Sequence, residues 1–206
     1  MSRRSDADLA YQAAAAKIHW LENRKGWHES KAMLANLRRG LGKSPAQMPE
    51  IWGFILEDLN PGSTRQKGIS AAENAVYQAL TLYALGCQGQ DAKTQKIQQD
   101  GVNVGQAVGR LVKKDPKRLK NLQLRMKGLM QSRTPAAIGI KLRALIPMIC
   151  EEGGLDFPML ARDLVRLEYP ESRNQVGIAW ARAFVAETGP MNESDETGKG
   201  EENEKK

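Results

Sequence analysis

Helix start and stop signals recur along this chain at short intervals, and nothing between them alternates as a strand would. Ser44-Pro45, Asp115-Pro116 and Thr134-Pro135 each place a capping residue ahead of a proline, which the first turn of a helix tolerates. Ser70 precedes AAENAVYQALTLYAL, and Glu73 completes a capping box with it. Asp156 caps FPMLARDLVRLEY, and Tyr169-Pro170 separates that helix from a last one ending near Gly189. Upstream, Asp6 or Asp8 opens a helix through YQAAAAKIHWLENRK that stops near Gly26, and HESKAMLANLRR stops at Gly40. Asn60-Pro61-Gly62 ends SPAQMPEIWGFILEDL, and Pro147 is expected to kink or divide its helix. Runs of alternating Val, Ile, Thr or aromatic residues are absent. The expectation is an all-α fold, a compact bundle of about eight helices.

At 206 residues and 41% hydrophobic, the chain can bury one core, or two small lobes. Polar, Gln- and Gly-rich loops near 60–69 and 87–100 mark candidate lobe boundaries. With 5% aromatic residues, the core falls to Leu, Ala, Val, Ile and Met, and Trp20, Trp27, Trp52 and Trp180 are expected to pack within it. The helical domain is placed at 1–189. Beyond it, 190–206 carries six acids, three Lys and no large apolar residue after Met191, and is expected to be a disordered acidic tail. No run of about 18 apolar residues suits a membrane span, and the N-terminus lacks a signal-peptide pattern, so a cytoplasmic protein is expected.

Charge carries the functional information. The chain's formal charge is +7 and the tail's is −3, leaving +10 on residues 1–189. Between 110 and 143 there are eleven Lys or Arg against the single acid Asp115. At 100° per residue, Leu119, Leu122, Met126, Leu129 and Met130 gather on one face as a core stripe. Lys117, Lys120 and Lys127 point away from it, and Arg118 and Arg125 flank it. A solvated face ordinarily mixes signs at i,i+4 spacing. Here the acids that would pair are missing from the segment, which points to backbone phosphates as partner. A second group, Arg38 and Arg39 in LRRG, sits where cations also suit a helix C-terminus. Base reading is not indicated, since no helix-turn-helix module or aromatic stacking platform lies in the basic segment.

Catalytic arrangements are sparse. His19 and His28 lack companions at metal-ligand spacing. Cys87 and Cys150 form no CxxC and read as two buried thiols. Glu57-Asp58 and Glu151-Glu152 are acid pairs without an accompanying base or nucleophile. GLGKS lacks the glycine a phosphate loop needs at position 37, where Leu37 stands. Gly101, Gly105 and Gly109 recur every four residues, a spacing suited to close helix packing. Neither catalysis nor a cofactor or metal is expected.

The order of segments adds to this. LANLRRG and AVYQALTLYAL are followed by GVNVGQAVGRLV and the basic PKRLKNLQLRMKGLMQSRT. KLRALIPMI, LDFPMLARDLVRL and WARAFV come after. This succession, over residues 30–187, resembles the CasB family, the small subunit of the type I-E CRISPR surveillance complex Cascade. The resemblance implies an all-helical, non-catalytic subunit for antiviral defence. Its implied partners are guide RNA, target DNA, the displaced single strand of the R-loop, other Cascade subunits and a second copy of itself, with no membrane. It assigns nucleic-acid contacts to Arg38, Arg39, Arg125, Arg133 and Arg143, while Lys113, Lys114, Arg118 and Lys141 rest on charge and position. A free-standing nonspecific nucleic-acid binder and a purely protein-binding scaffold remain the alternatives.

Overall fold

The structure is a computed structural model and describes residues 5–22, 27–57, 59, 68–89 and 97–189. Among these residues it is all-α. In chain order come α1 (Asp6–Glu22), α2 (Trp27–Arg39), α3 (Trp52–Leu56), α4 (Ala71–Gly86) and α5 (Val104–Lys114). They are followed by α6 (Leu119–Gln131), α7 (Pro135–Leu142), α8 (Ile146–Glu151), α9 (Phe157–Glu168) and α10 (Pro170–Thr188). The β-type pairing described is one isolated bridge, Gln98 to Leu155.

These ten helices exceed the expected eight partly because proline divides one long segment. Residues 135–151 split into α7 and α8, with Pro147 in the first turn of α8. The segment after Ser44 also departs from expectation. It forms two 3₁₀ turns, Pro45–Gln47 and Pro49–Ile51, before the short α3. Pro49 excludes its predecessor from helical geometry, and Met48 sits at φ −128°, ψ 63°.

Local capping follows the sequence closely. Ser70 Oγ accepts from Glu73 N at 3.2 Å, and Glu73 Oε2 accepts from Ser70 N at 2.7 Å. Asp156 Oδ1 accepts from Met159 N at 2.8 Å. At α1 the cap is Ser5, one residue ahead of the expected Asp6, and its Oγ donates to Asp8 Oδ2 at 2.6 Å.

α4 is the centre of the bundle. Nearly all of it is buried, and α1, α2, α7, α8 and α9 pack around it. One connected core runs from Ala10 on α1 to Phe184 on α10. Of the tryptophans expected in that core, only Trp180 is buried among those whose side chains are described. Trp20 is 39% exposed and Trp52 44% exposed. Both are large amphipathic side chains half-satisfied at the surface. Trp20 lies 5.2 Å from the Phe54 ring, and Trp52 Nε1 donates to Pro45 O at 2.8 Å. The side chain of Trp27 lies outside the described residues, as do the expected stops at Gly26 and Asn60-Pro61-Gly62. Residues 90–96 of the candidate lobe boundary and the tail expected to be disordered, 190–206, lie outside them too.

α10 crosses α5 unusually closely. A Cβ on Gly105 would stand 1.8 Å from Trp180 O, and one on Gly109 would stand 3.0 Å from Phe184 O. These two glycines serve the close packing expected of their spacing. Gly101 does not, since its φ of +78° marks a turn with open space around it. Trp180 Nε1 donates to the buried carboxylate of Asp163 at 2.8 Å, tying α10 to α9 as well.

Candidate nucleic-acid interface

The basic segment occupies the end of α5, all of α6, and α7 with the turn after it. The α6 stripe packs as the wheel requires, with Leu122 and Leu129 buried and Leu119, Met126 and Met130 half-buried against the core. Burial of that stripe turns Lys117, Lys120, Leu124, Arg125 and Lys127 outward, where all are exposed. Asp115-Pro116 opens a 3₁₀ turn, Pro116–Arg118, and α6 follows from Leu119. Asp115 caps that turn, accepting from Lys117 N at 3.2 Å, and its other oxygen meets Arg118 Nε at 3.0 Å.

Acids missing from the segment arrive from elsewhere in the fold, but only at its first half. Glu187 on α10 lies 3.7 Å from Arg110 and 4.0 Å from Lys113, and Glu152 after α8 pairs with Lys114. The expectation of an unpaired run therefore fails for Lys113, Lys114 and Arg118. Their partners, apart from Asp115, lie 38 or more residues away in sequence. Such half-exposed pairs contribute little stability.

The second half is different. Among the described residues no carboxylate pairs with Arg125, Lys127, Arg133, Lys141 or Arg143, all of which are exposed. What orients several of them is neutral. Arg125 Nε donates to Asn121 Oδ1 at 2.9 Å, and Lys141 Nζ donates to Gly128 O at 2.6 Å, linking α7 to α6. Arg133 sits in the α6–α7 loop, which Arg173 of α10 pins by donating to Ser132 O and, at 3.2 Å, to Arg133 O. Such contacts fix position without cancelling charge.

Arg143 joins the two groups of sequence-predicted residues. Its Nη1 lies 3.9 Å from where a Cβ on Gly42 would stand, so the end of α7 adjoins the turn after α2. That turn is held by Tyr77 of α4, whose hydroxyl donates to Gly40 O at 2.7 Å. Arg39 and Lys43 are exposed there. Arg38 behaves otherwise, being half-buried with Nη1 donating to Ala84 O at 3.4 Å. Arg38 thus closes the end of α4 more than it faces outward. Lys43, next in sequence to the Gly42 that Arg143 approaches, and Arg173, which braces the backbone at Arg133, are not marked as interface residues by the sequence. Their roles depend on contacts between distant segments, which no local pattern announces.

Among the described residues no cluster of three His, Cys, Asp or Glu side chains could hold a metal ion. His19 is exposed in the last turn of α1. Cys150 is buried, but Cys87 is only half-buried, and neither forms a disulfide. Burial pushes Cys87 up to about 11 and Cys150 up to about 12, so neither is an activated nucleophile at neutral pH. No helix among the described residues is long and apolar enough to cross a membrane.

The molecule is thus of a definite class, an all-α protein with exposed cations on α6, on α7 and in the turn after α2. Comparison with known proteins places it further. The chain belongs to the family described as CRISPR-associated protein Cse2, whose sequence profile matches residues 33–184. The CRISPR-associated protein Cse2 of Thermus thermophilus is 27% identical over 168 residues, covering 81% of this chain and 86% of that protein. The crystal structure of CasB from Thermobifida fusca superposes with a TM-score of 0.68 at 27% identity, covering 89% of this chain and 99% of that one. CasB from Thermus thermophilus superposes with a TM-score of 0.62 at 26% identity, covering 84% and 97%. The CasB resemblance seen in the order of the sequence segments is thereby borne out.

Proposed function

We propose that this chain is a non-catalytic subunit of the type I-E CRISPR Cascade complex that holds nucleic-acid backbone on the face formed by α6, α7 and the turn after α2. The observation that carries this reading is the group Arg125, Lys127, Arg133, Lys141 and Arg143, exposed and without carboxylate partners among the described residues. Side chains held by neutral groups keep their full charge for an incoming phosphate, and guanidinium and ammonium contacts to phosphate carry no base information. That suits a protein whose sequence specificity is delegated to base pairing with a guide RNA. On this reading the contacted strands are the guide RNA, the target DNA and the displaced strand of the R-loop. The partners are other Cascade subunits and a second copy of this chain, in the cytoplasm.

The test is fluorescence anisotropy of the purified chain with labelled single- and double-stranded oligonucleotides, titrated with salt. Log affinity should fall with log salt at about −0.7 to −0.9 per neutralised phosphate, independent of base sequence. The variant carrying Arg125→Glu, Lys141→Glu and Arg143→Glu should flatten that slope while still co-purifying with guide RNA and partner subunits. A second reading, a protein-binding scaffold, is favoured by Leu124 at 68% and Ile140 at 62% exposure on the same two helices. Loss of co-assembly in the triple variant, with the salt slope unchanged, would select it.

A further inference from the structure

We propose that the acidic segment 190–206 docks on the basic face of α6 and α7 when nucleic acid is absent and competes there with the phosphate backbone. This deepens the proposed function and rests on it, since the face must be one that takes polyanions. Three features of the molecule point to this occupant.

The first is complementarity. The segment holds Glu193, Asp195, Glu196, Glu201, Glu202 and Glu204 against three Lys. The face it would meet offers Arg125, Lys127, Arg133, Lys141 and Arg143, for which the folded domain provides no acid among the described residues.

The second is the point of departure. The segment leaves α10 immediately after Gly189, two residues beyond Glu187. Glu187 already pairs with Arg110 and Lys113 at the edge of the basic segment. The chain therefore departs at the α5 end of the basic segment, and Glu187 is the first of a series of carboxylates that the tail continues.

The third is reach. The other end of α10 contacts the α6–α7 loop through Arg173. Arg173 and Gly189 are 16 residues apart, so the path from the tail's origin back to Arg133 is about 24 Å at 1.5 Å per helical residue. The 17 residues of the tail span up to about 56 Å when extended. A tethered segment within such reach acts at a local concentration far above that of a free peptide.

The experiment combines zero-length carbodiimide coupling with anisotropy, both on the full-length protein. At low salt, tail carboxylates should couple to Lys127 and Lys141, and mass spectrometry should show these links lost on adding excess unlabelled oligonucleotide. The chain truncated after Gly189, and a full-length variant with all six tail acids changed to their amides, should each bind a labelled single strand about fivefold more tightly at low salt. That advantage should vanish at high salt. Coupling as frequent to Lys31 as to Lys127 and Lys141 would reduce the effect to general charge and overturn the docking. Unaltered affinity in both tail variants would overturn the competition. If full-length and truncated chains both fail to bind the oligonucleotide while the links persist, the reading of the face as phosphate-binding falls, and the competition with it.

Discussion

The two halves of the basic segment are alike in sequence and unlike in the fold. At the end of α5, Arg110, Lys113 and Lys114 meet carboxylates brought in from α10 and from the end of α8, and Arg118 meets Asp115. On α6 and α7, Arg125 and Lys141 meet amide and carbonyl oxygens instead. The difference teaches that composition measures how much charge a surface carries, while packing decides how much of it stays available. Glu187 and Glu152 lie outside the 110–143 window. The window therefore reads as uniformly basic, although its first cations are matched and those from Arg125 onward have no carboxylate partner among the described residues.

The comparison can be broken at its foundation by moving α10. Gly105→Ala places a Cβ against the Trp180 carbonyl, a backbone atom that cannot rotate away. We expect a loss of about 3 kcal/mol or more, read as a lower midpoint in urea denaturation. With α10 displaced, Glu187 leaves Arg110 and Lys113.

Charge reversal sharpens the comparison directly. The triple change Arg125→Glu, Lys141→Glu and Arg143→Glu should weaken oligonucleotide binding by roughly 100-fold at low salt. Lys113→Glu with Lys114→Glu should cost about tenfold or less, because those cations are already partly matched. Equal effects in the two variants would erase the distinction between the halves.

A smaller effect is expected at the anchor of α10. Asp163→Ala leaves Trp180 Nε1 buried without an acceptor and should cost about 2 kcal/mol, whereas Asp163→Asn keeps an acceptor and should cost less. The two also differ with pH. Burial raises the Asp163 carboxyl above its ordinary 3.8, an effect that the Trp180 hydrogen bond opposes. The native state therefore binds the proton more tightly than the unfolded chain, and stability falls as pH rises from about 3.8 through the raised native value. Denaturation midpoints across that window should show this component in the parent protein and not in Asp163→Asn.

The smallest expected effect converts one half toward the other. Glu152→Gln with Glu187→Gln removes the distant partners of Arg110, Lys113 and Lys114. Affinity for an oligonucleotide should rise roughly twofold, with little change in the denaturation midpoint.

How much of this could be read in advance follows the range of each interaction. The Ser70–Glu73 capping box, the Asp156 cap, the division of a helix near Pro147 and the α6 core stripe depend on residues within a few positions of one another. All of them appear in the fold. The glycine spacing at 105 and 109 announces a close neighbour, but not that Trp180 is that neighbour. The placement of tryptophans fails for Trp20 and Trp52, because a side chain with both an apolar body and a polar edge is stable half-exposed against Phe54 or a carbonyl. Pro49 is visible in the sequence, yet its effect on Met48 is masked by the stronger signal at Ser44-Pro45. At the candidate interface, the cations are legible as residues. Their pairing with Glu187 and Glu152, the approach of Arg143 to Gly42, and the bracing of Arg133 by Arg173 are not, since each joins segments tens of residues apart.

The glycine contact between α5 and α10 has a mechanical consequence. With backbone against backbone at Gly105, there is no layer of side chains to act as a bearing, so α10 behaves as a rigid strut bolted near its middle. Its two ends carry opposite charges to opposite ends of the basic surface: Arg173 at the α6–α7 loop and Glu187 at α5. The α6–α7 loop and the carboxylate facing Arg110 and Lys113 thus share one support, the helix held at Gly105.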